Sequence, residues 1–192
     1  MEQKAELRAR IAGLRAGWEA GYLAESDRAI ERRLLNLPEW RAARTVFSYV
    51  GVRDEPSTRG ILVSALGGGK RLCVPRCEGR GIMRAREIFS PDELRPAPFG
   101  LLEPEESAPT VPAEEIELAI VPCMAADRRG YRLGHGAGYY DRYLANLRCP
   151  TICLCRGRAL LPALPVEEHD VRVEMVLTEA ELLRTAGQAP AE

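Results

Sequence analysis

The chain has 192 residues, 46% of them hydrophobic, which is enough for one domain with a sizeable core. Its 27 Lys and Arg balance 28 Asp and Glu, so nothing pulls it toward nucleic acid or an anionic membrane, and a phosphate site must concentrate positive charge locally. The polar start Glu2-Gln3-Lys4-Ala5-Glu6 and the lack of any apolar run near the ~20 residues of a membrane span point to a soluble cytoplasmic protein; it is expected to be a monomer.

Residues 2–17 are predicted helical, because Leu7, Ile11 and Leu14 recur at i, i+4 and i+7. Lys4 and Arg8 share an adjacent face; by spacing alone that is a solvated basic face. Ser26 is the predicted N-cap of a second helix to about Asn36, with Ile30 and Leu34 inward. Pro38 ends that helix or opens a short turn through Trp40, a core or edge residue. Thr45–Val50 reads as a buried strand, and Gly51–Glu55 as the loop at its C-terminal end, where open α/β sheets bind ligands. Pro56–Leu66 reads as a helix closed by Gly67, Gly68 and Gly69; Gly69-Lys70 lacks the Ser or Thr of a phosphate loop.

Arg71–Val74 and Ile82–Ile88 read as strands around a hairpin turn at Cys77–Gly81. Residues 90–114 hold six of the 14 prolines and read as a long irregular connection. Leu118–Val121, Thr151–Cys155 and Met175–Thr178 complete about six short strands alternating with helices. That alternation predicts an α/β fold: a single domain over residues 1–183 with an open mixed or mostly parallel sheet flanked by helices. Residues 184–192, rich in Ala, Gly and Pro, read as a flexible tail. The six cysteines form no Cys-x-x-Cys and are read as buried thiols.

The densest chemistry lies in Gly130–Leu144. Gly134, Gly136 and Gly138 alternate, and such residues can aim successive N–H groups at one anion. The helix predicted from Tyr139 adds N–H donors and positive dipole there. Arg132 supplies a full positive charge and Asp141 a carboxylate, the ligand type Mg²⁺ prefers. Tyr139 and Tyr140 suit stacking on a ligand, hydrogen bonding to it, or packing. No Gly-Lys-Ser/Thr follows, and Tyr139 stands where a dinucleotide fingerprint has its third glycine. Residue types alone leave two readings: a nucleotide site, or a Gly-rich surface loop capping a helix.

The word Gly130-Tyr131-Arg132-Leu133-Gly134-His135-Gly136-Ala137-Gly138-Tyr139-Tyr140-Asp141-Arg142 resembles the signature of the 5-formyltetrahydrofolate cyclo-ligase family, also called 5,10-methenyltetrahydrofolate synthetases. The resemblance runs nearly full length, through Lys4-Ala5-Glu6-Leu7-Arg8, Asp54-Glu55, Phe99-Gly100-Leu101-Leu102-Glu103-Pro104, Asp127 and His169-Asp170. It implies ATP held by Lys4, Arg8, Arg132 and the segment Leu133, Gly134, His135, Gly136, Ala137, Gly138, Tyr139 and Tyr140. It implies folate at Val50, Glu55, Phe99, His135, Gly136 and Tyr139, and Mg²⁺ at Asp141 and Asp170. Arg132 and Tyr140 become the candidate catalytic groups, and Asp127 is either an acidic site position or a turn residue. The implied reaction is ATP-dependent closure of 5-formyltetrahydrofolate to 5,10-methenyltetrahydrofolate, with release of ADP and phosphate. His135 stands where many relatives carry Arg, and Ala137 where Lys or Gly is common. A folate-binding protein without turnover, and a sugar-phosphate isomerase-like enzyme using the loop for its substrate's phosphate, remain as alternatives.

Overall fold

In a computed structural model, which describes residues 3–79 and 81–185, the chain forms five helices and twelve strands among the described residues. In order they are α1 (Lys4–Ala16), α2 (Ala20–Leu35), α3 (Pro38–Ala42), β1 (Thr45–Ser48), α4 (Arg59–Gly67), β2 (Arg71–Cys77), β3 (Met83–Ile88), β4 (Arg95–Pro96), β5 (Leu102–Glu103), β6 (Leu118–Val121), β7 (Ala125–Asp127), β8 (Arg132–Leu133), α5 (Tyr139–Leu144), β9 (Thr151–Leu154), β10 (Leu160–Leu161), β11 (Met175–Leu177) and β12 (Leu182–Arg184).

Seven strands make the main sheet, in the order β12-β11-β9-β6-β1-β2-β3. The five inner strands are parallel, and β12 and β3 close the two edges antiparallel. This is the expected α/β architecture, with one strand more than the sequence suggested. β1, β6, β9 and β11 are buried along their whole length, as parallel strands covered on both faces must be. Alternate residues feed two cores. Phe47, Ala119, Val121, Cys153 and Val176 pack toward Leu7 and Ile11 of α1 and Leu144 of α5. Val46, Ile120, Ile152 and Leu177 pack toward Ile30 and Leu34 of α2 and Ile61, Leu62 and Ala65 of α4.

β2 runs three residues past its expected end, through Pro75. β1 pairs β2 only as far as Cys73, so the missing N–H of Pro75 breaks no ladder bond on that side. The β2–β3 hairpin thereby projects beyond the C-terminal ends of the inner strands.

Four local expectations change. Ser26 is not a cap: α2 begins at Ala20, and Ser26 lies buried within it with Oγ 3.3 Å from Glu179 Oε2. α4 starts at Arg59, because the Ser57 N–H donates to Asp27 and the Pro56 carbonyl accepts from the Tyr49 hydroxyl, which commits the preceding backbone elsewhere. The 90–114 connection contains a small hairpin, β4–β5. Arg184, expected in the tail, ends β12, and the Thr185 N–H donates to the Glu174 carbonyl; residues 186–192 of the expected tail lie outside the described residues. A second sheet, β10-β7-β8, had not been anticipated. Trp40 is buried, and all six cysteines are free, five of them buried. Among the described residues no helix is long and apolar enough to cross a membrane.

Candidate active site

The site gathers at the C-terminal ends of the inner strands, and α1 lies across it. At about 100° per residue, Lys4, Arg8 and Arg15 fall within about 40° of one another around α1. Each reaches a different wall. Lys4 Nζ is 2.6 Å from each oxygen of Asp170 and 2.8 Å from Glu167 Oε2. Arg8 Nε donates to the Gly134 carbonyl at 2.8 Å. Arg15, buried, pairs with Asp54 and donates to the Cys123 and Met124 carbonyls. Leu7 and Ile11 sit beside this stripe and drive it onto the core. Burial pulls the Lys4 ammonium down, but the hydrogen bonds and charges of Asp170 and Glu167 outweigh it and hold the group above its ordinary value.

The glycine loop connects β8 to α5. Gly136 has φ 101° and Gly138 φ 68°, whereas His135, Ala137 and Gly134 stay at negative φ. Residues of alternating hand turn consecutive N–H groups toward one concavity, which is the geometry of an anion nest. Among the described residues, no backbone N–H from Gly134 to Asp141 donates a hydrogen bond to the protein. His135, Gly136 and Ala137 are exposed, and the Arg8 guanidinium lies against Gly136, 3.4 Å from where a Cβ would stand. Leu133 is buried and serves as the loop's apolar root.

Arg132 and Asp141 close the loop from beneath. Arg132 Nη2 donates to Asp141 Oδ1 at 2.9 Å, its guanidinium carbon is 5.4 Å from the centre of the Tyr140 ring, and its side chain is 2% exposed. Its Nε is buried without a partner among the described residues. The expected phosphate ligand is therefore seated under the loop, against the carboxylate. Asp141 Oδ1 also accepts weakly from the Val171 N–H at 3.5 Å, one residue along the chain from Asp170. Ligand atoms of Asp170, Glu167 and His169 lie within 4.8 Å of one another. This oxygen-rich set fits a hard divalent cation.

On the other wall, Glu55 is buried at the end of the loop after β1. Its Oε2 accepts the Val52 N–H, and its Oε1 is 3.5 Å from His135 Nε2. Half-buried Val50 precedes it. Burial, reinforced by the charge of Glu55, holds the Tyr140 hydroxyl well above its ordinary value. The ring of Tyr139 lies under the Arg142 guanidinium. Phe99 is 86% exposed at φ 63°, and its carbonyl accepts from Arg53 Nη2 at 2.9 Å, which ties it to the Glu55 loop. At that exposure the Phe99 ring does not pack on the core. Asp127 proves to be a turn residue: fully buried, it accepts from the Arg129, Tyr131 and Leu164 N–H groups and from the Arg129 side chain.

Two site residues were missed. Arg15 continues the α1 stripe, and its spacing from Lys4 and Arg8 was the available signal. Arg156, 2% exposed, donates to the Asp54 and Glu55 carbonyls, the Leu23 carbonyl and Asp27 Oδ1. It locks the Glu55 loop from below, and nothing near it in sequence announced that.

The chain is similar to several proteins over most of its length. A 5-formyltetrahydrofolate cyclo-ligase of Mycolicibacterium smegmatis is 40% identical over 146 residues, spanning 71% of this chain and 74% of its own. The mouse protein of that name is 25% identical over 189 residues, 92% of this chain and 91% of its own. The solution structure of Aquifex aeolicus 5,10-methenyltetrahydrofolate synthetase superposes with a TM-score of 0.86 at 27% identity, covering 98% of this chain and 96% of that one. The family profile described as the 5-formyltetrahydrofolate cyclo-ligase family matches residues 1–179, and the chain belongs to that family.

Proposed function

We propose that the protein is a 5-formyltetrahydrofolate cyclo-ligase that uses ATP and Mg²⁺ to close 5-formyltetrahydrofolate to 5,10-methenyltetrahydrofolate, releasing ADP and phosphate. The observation that carries the reading is the alternating-hand loop at 135–138, its N–H groups bonded to no acceptor among the described residues, set between Arg8 and Asp141 in a chain of this family. That is a cradle for a polyphosphate.

The chemistry accounts for the parts. The formyl oxygen on N5 is a poor leaving group. Transfer of the γ-phosphoryl group to it makes phosphate the leaving group; N10 then attacks the formyl carbon, loses its proton, and phosphate departs as the ring closes. In phosphoryl transfer a protein mainly positions groups and neutralises charge. The loop N–H groups, Lys4 and Arg8 receive the phosphates, and Arg132 holds the carboxylate of Asp141 in place beneath them. Glu55 accepts the paired N–H donors of the pterin edge. His135, beside Glu55, sits between the folate and phosphate halves, and Val50, Phe99 and Tyr139 offer apolar surface to the folate. Tyr140, beside Arg132, would donate a hydrogen bond to an oxygen that gains charge. Asp141 and Asp170 would hold Mg²⁺, which supplies neutralisation of phosphate charge when bound.

The test is absorbance of the methenyl product formed from 5-formyltetrahydrofolate, ATP and Mg²⁺, with Asp141→Ala as control. We expect a rise that requires ATP and is lost in the variant. Tight folate binding with no rise under any condition would overturn the enzyme reading in favour of a folate-binding protein.

A further inference from the structure

Lys4 is in an unexpected place for a phosphate ligand. Its ammonium spans both oxygens of Asp170 at 2.6 Å and reaches Glu167 at 2.8 Å. The Lys4 and Asp170 side chains are 15% and 11% exposed, so the contact is made inside the cleft, not at a solvated rim. Asp170 Oδ2 also accepts the Glu167 N–H at 2.7 Å, which fixes the carboxylate's orientation. Both oxygens of Asp170 are thus committed to a compact monovalent cation that also holds Glu167, two of the three residues whose ligand atoms lie within 4.8 Å of one another. A divalent ion cannot bind both of those oxygens while Lys4 stays.

Lys4 is also the residue best able to leave. It opens the first turn of α1, and two of that helix's other cations are fixed further along: Arg8 on the Gly134 carbonyl and Arg15 in its buried pairing. A flexible four-carbon stem moves its charge without moving the helix.

We propose that Lys4 is an exchange residue. In the resting protein its ammonium occupies the cation position at Asp170, and the metal–nucleotide pair displaces it onto the phosphates. This inference rests on the reading of Asp170 as a metal ligand. Metal alone strips Lys4 of its partners and gives nothing back. Metal arriving with nucleotide offers Lys4 a new anion. The two ligands are therefore coupled through one side chain, and the coupling is reciprocal.

The experiment uses Mn²⁺ alone as a paramagnetic probe, titrated into the full-length protein by EPR with and without a non-hydrolysable ATP analogue. For the unaltered protein we expect weak Mn²⁺ binding that tightens about tenfold with nucleotide, the scale of one hydrogen bond to a charged group. Lys4→Met should bind Mn²⁺ alone about tenfold more tightly and lose most of the nucleotide-induced gain. Lys4→Arg, which keeps a cation, should retain the coupling. Circular dichroism checks that each variant is folded. Equal Mn²⁺ affinity in Lys4→Met and the unaltered protein, with binding still abolished by Asp170→Asn, would overturn the exchange and leave the metal site standing. Mn²⁺ binding that survives Asp170→Asn would overturn both.

Discussion

Arg132 shows how far one side chain's burial can alter its role. A guanidinium at the surface of a glycine loop is a phosphate ligand; one that is 2% exposed and bonded to Asp141 is a support for that carboxylate. The two roles differ in kinetics. If Arg132 acts through Asp141, Arg132→Lys should lower kcat by roughly 10- to 100-fold, the scale of a charged hydrogen bond worth about 1.5–3 kcal/mol, and leave KM for ATP nearly unchanged. An equal rise in KM for ATP would instead mean direct phosphate contact. The residue type and its place before the glycines were legible in the sequence. Its burial was not, because burial is decided by β7 and β8, strands of three and two residues with too few alternations to leave a period. Asp127 is the converse case: its carboxylate is consumed by the turn of the same small sheet.

At the scale of elements, the glycine loop and α5 work as one unit, and the three glycines are not equivalent. Gly138 caps α5 at φ 68°, and a Cβ there would meet Arg142 Nη1 at 2.9 Å. Gly134 has no left-handed φ, and its Cβ would meet Arg132 at an ordinary 3.5 Å. Gly138→Ala should therefore cost about 1–2 kcal/mol in urea-induced unfolding and raise KM for ATP, while Gly134→Ala leaves both close to unchanged. α1 is the second such unit. Its apolar stripe was readable from Leu7 and Ile11, and so were the cations at 4 and 8. The spacing put Arg15 on the stripe but not its burial, since a buried arginine on an amphipathic helix looks the same as an exposed one until Asp54 and the Cys123 and Met124 carbonyls are brought beside it. Ser26 misled for a related reason: a favourable capping residue sat inside a longer helix whose hydroxyl partner, Glu179, lies 153 residues away.

For the molecule as a whole, the inner strands, their order of appearance and the α/β class follow from short β-branched runs between helices. β12, of three residues, and the second sheet do not, because pairing partners define them more than their own composition does. Arg156 belongs to this scale, since it joins α2, the end of β9 and the Glu55 loop with one guanidinium. Arg156→Ala should lower stability by about 3 kcal/mol, read from the urea midpoint, and raise KM for 5-formyltetrahydrofolate more than KM for ATP. A stability loss with both Michaelis constants unmoved would mean that the Glu55 loop holds its shape without it.

The contact between Lys4 and Asp170 also has a dimension in time. It joins positions 166 residues apart. At 5–20 residues per second, a ribosome takes roughly 8–33 s to make that interval. α1 therefore leaves the ribosome that long before the partner of its Lys4 exists, so its docking at this end is completed only after Asp170 has been made.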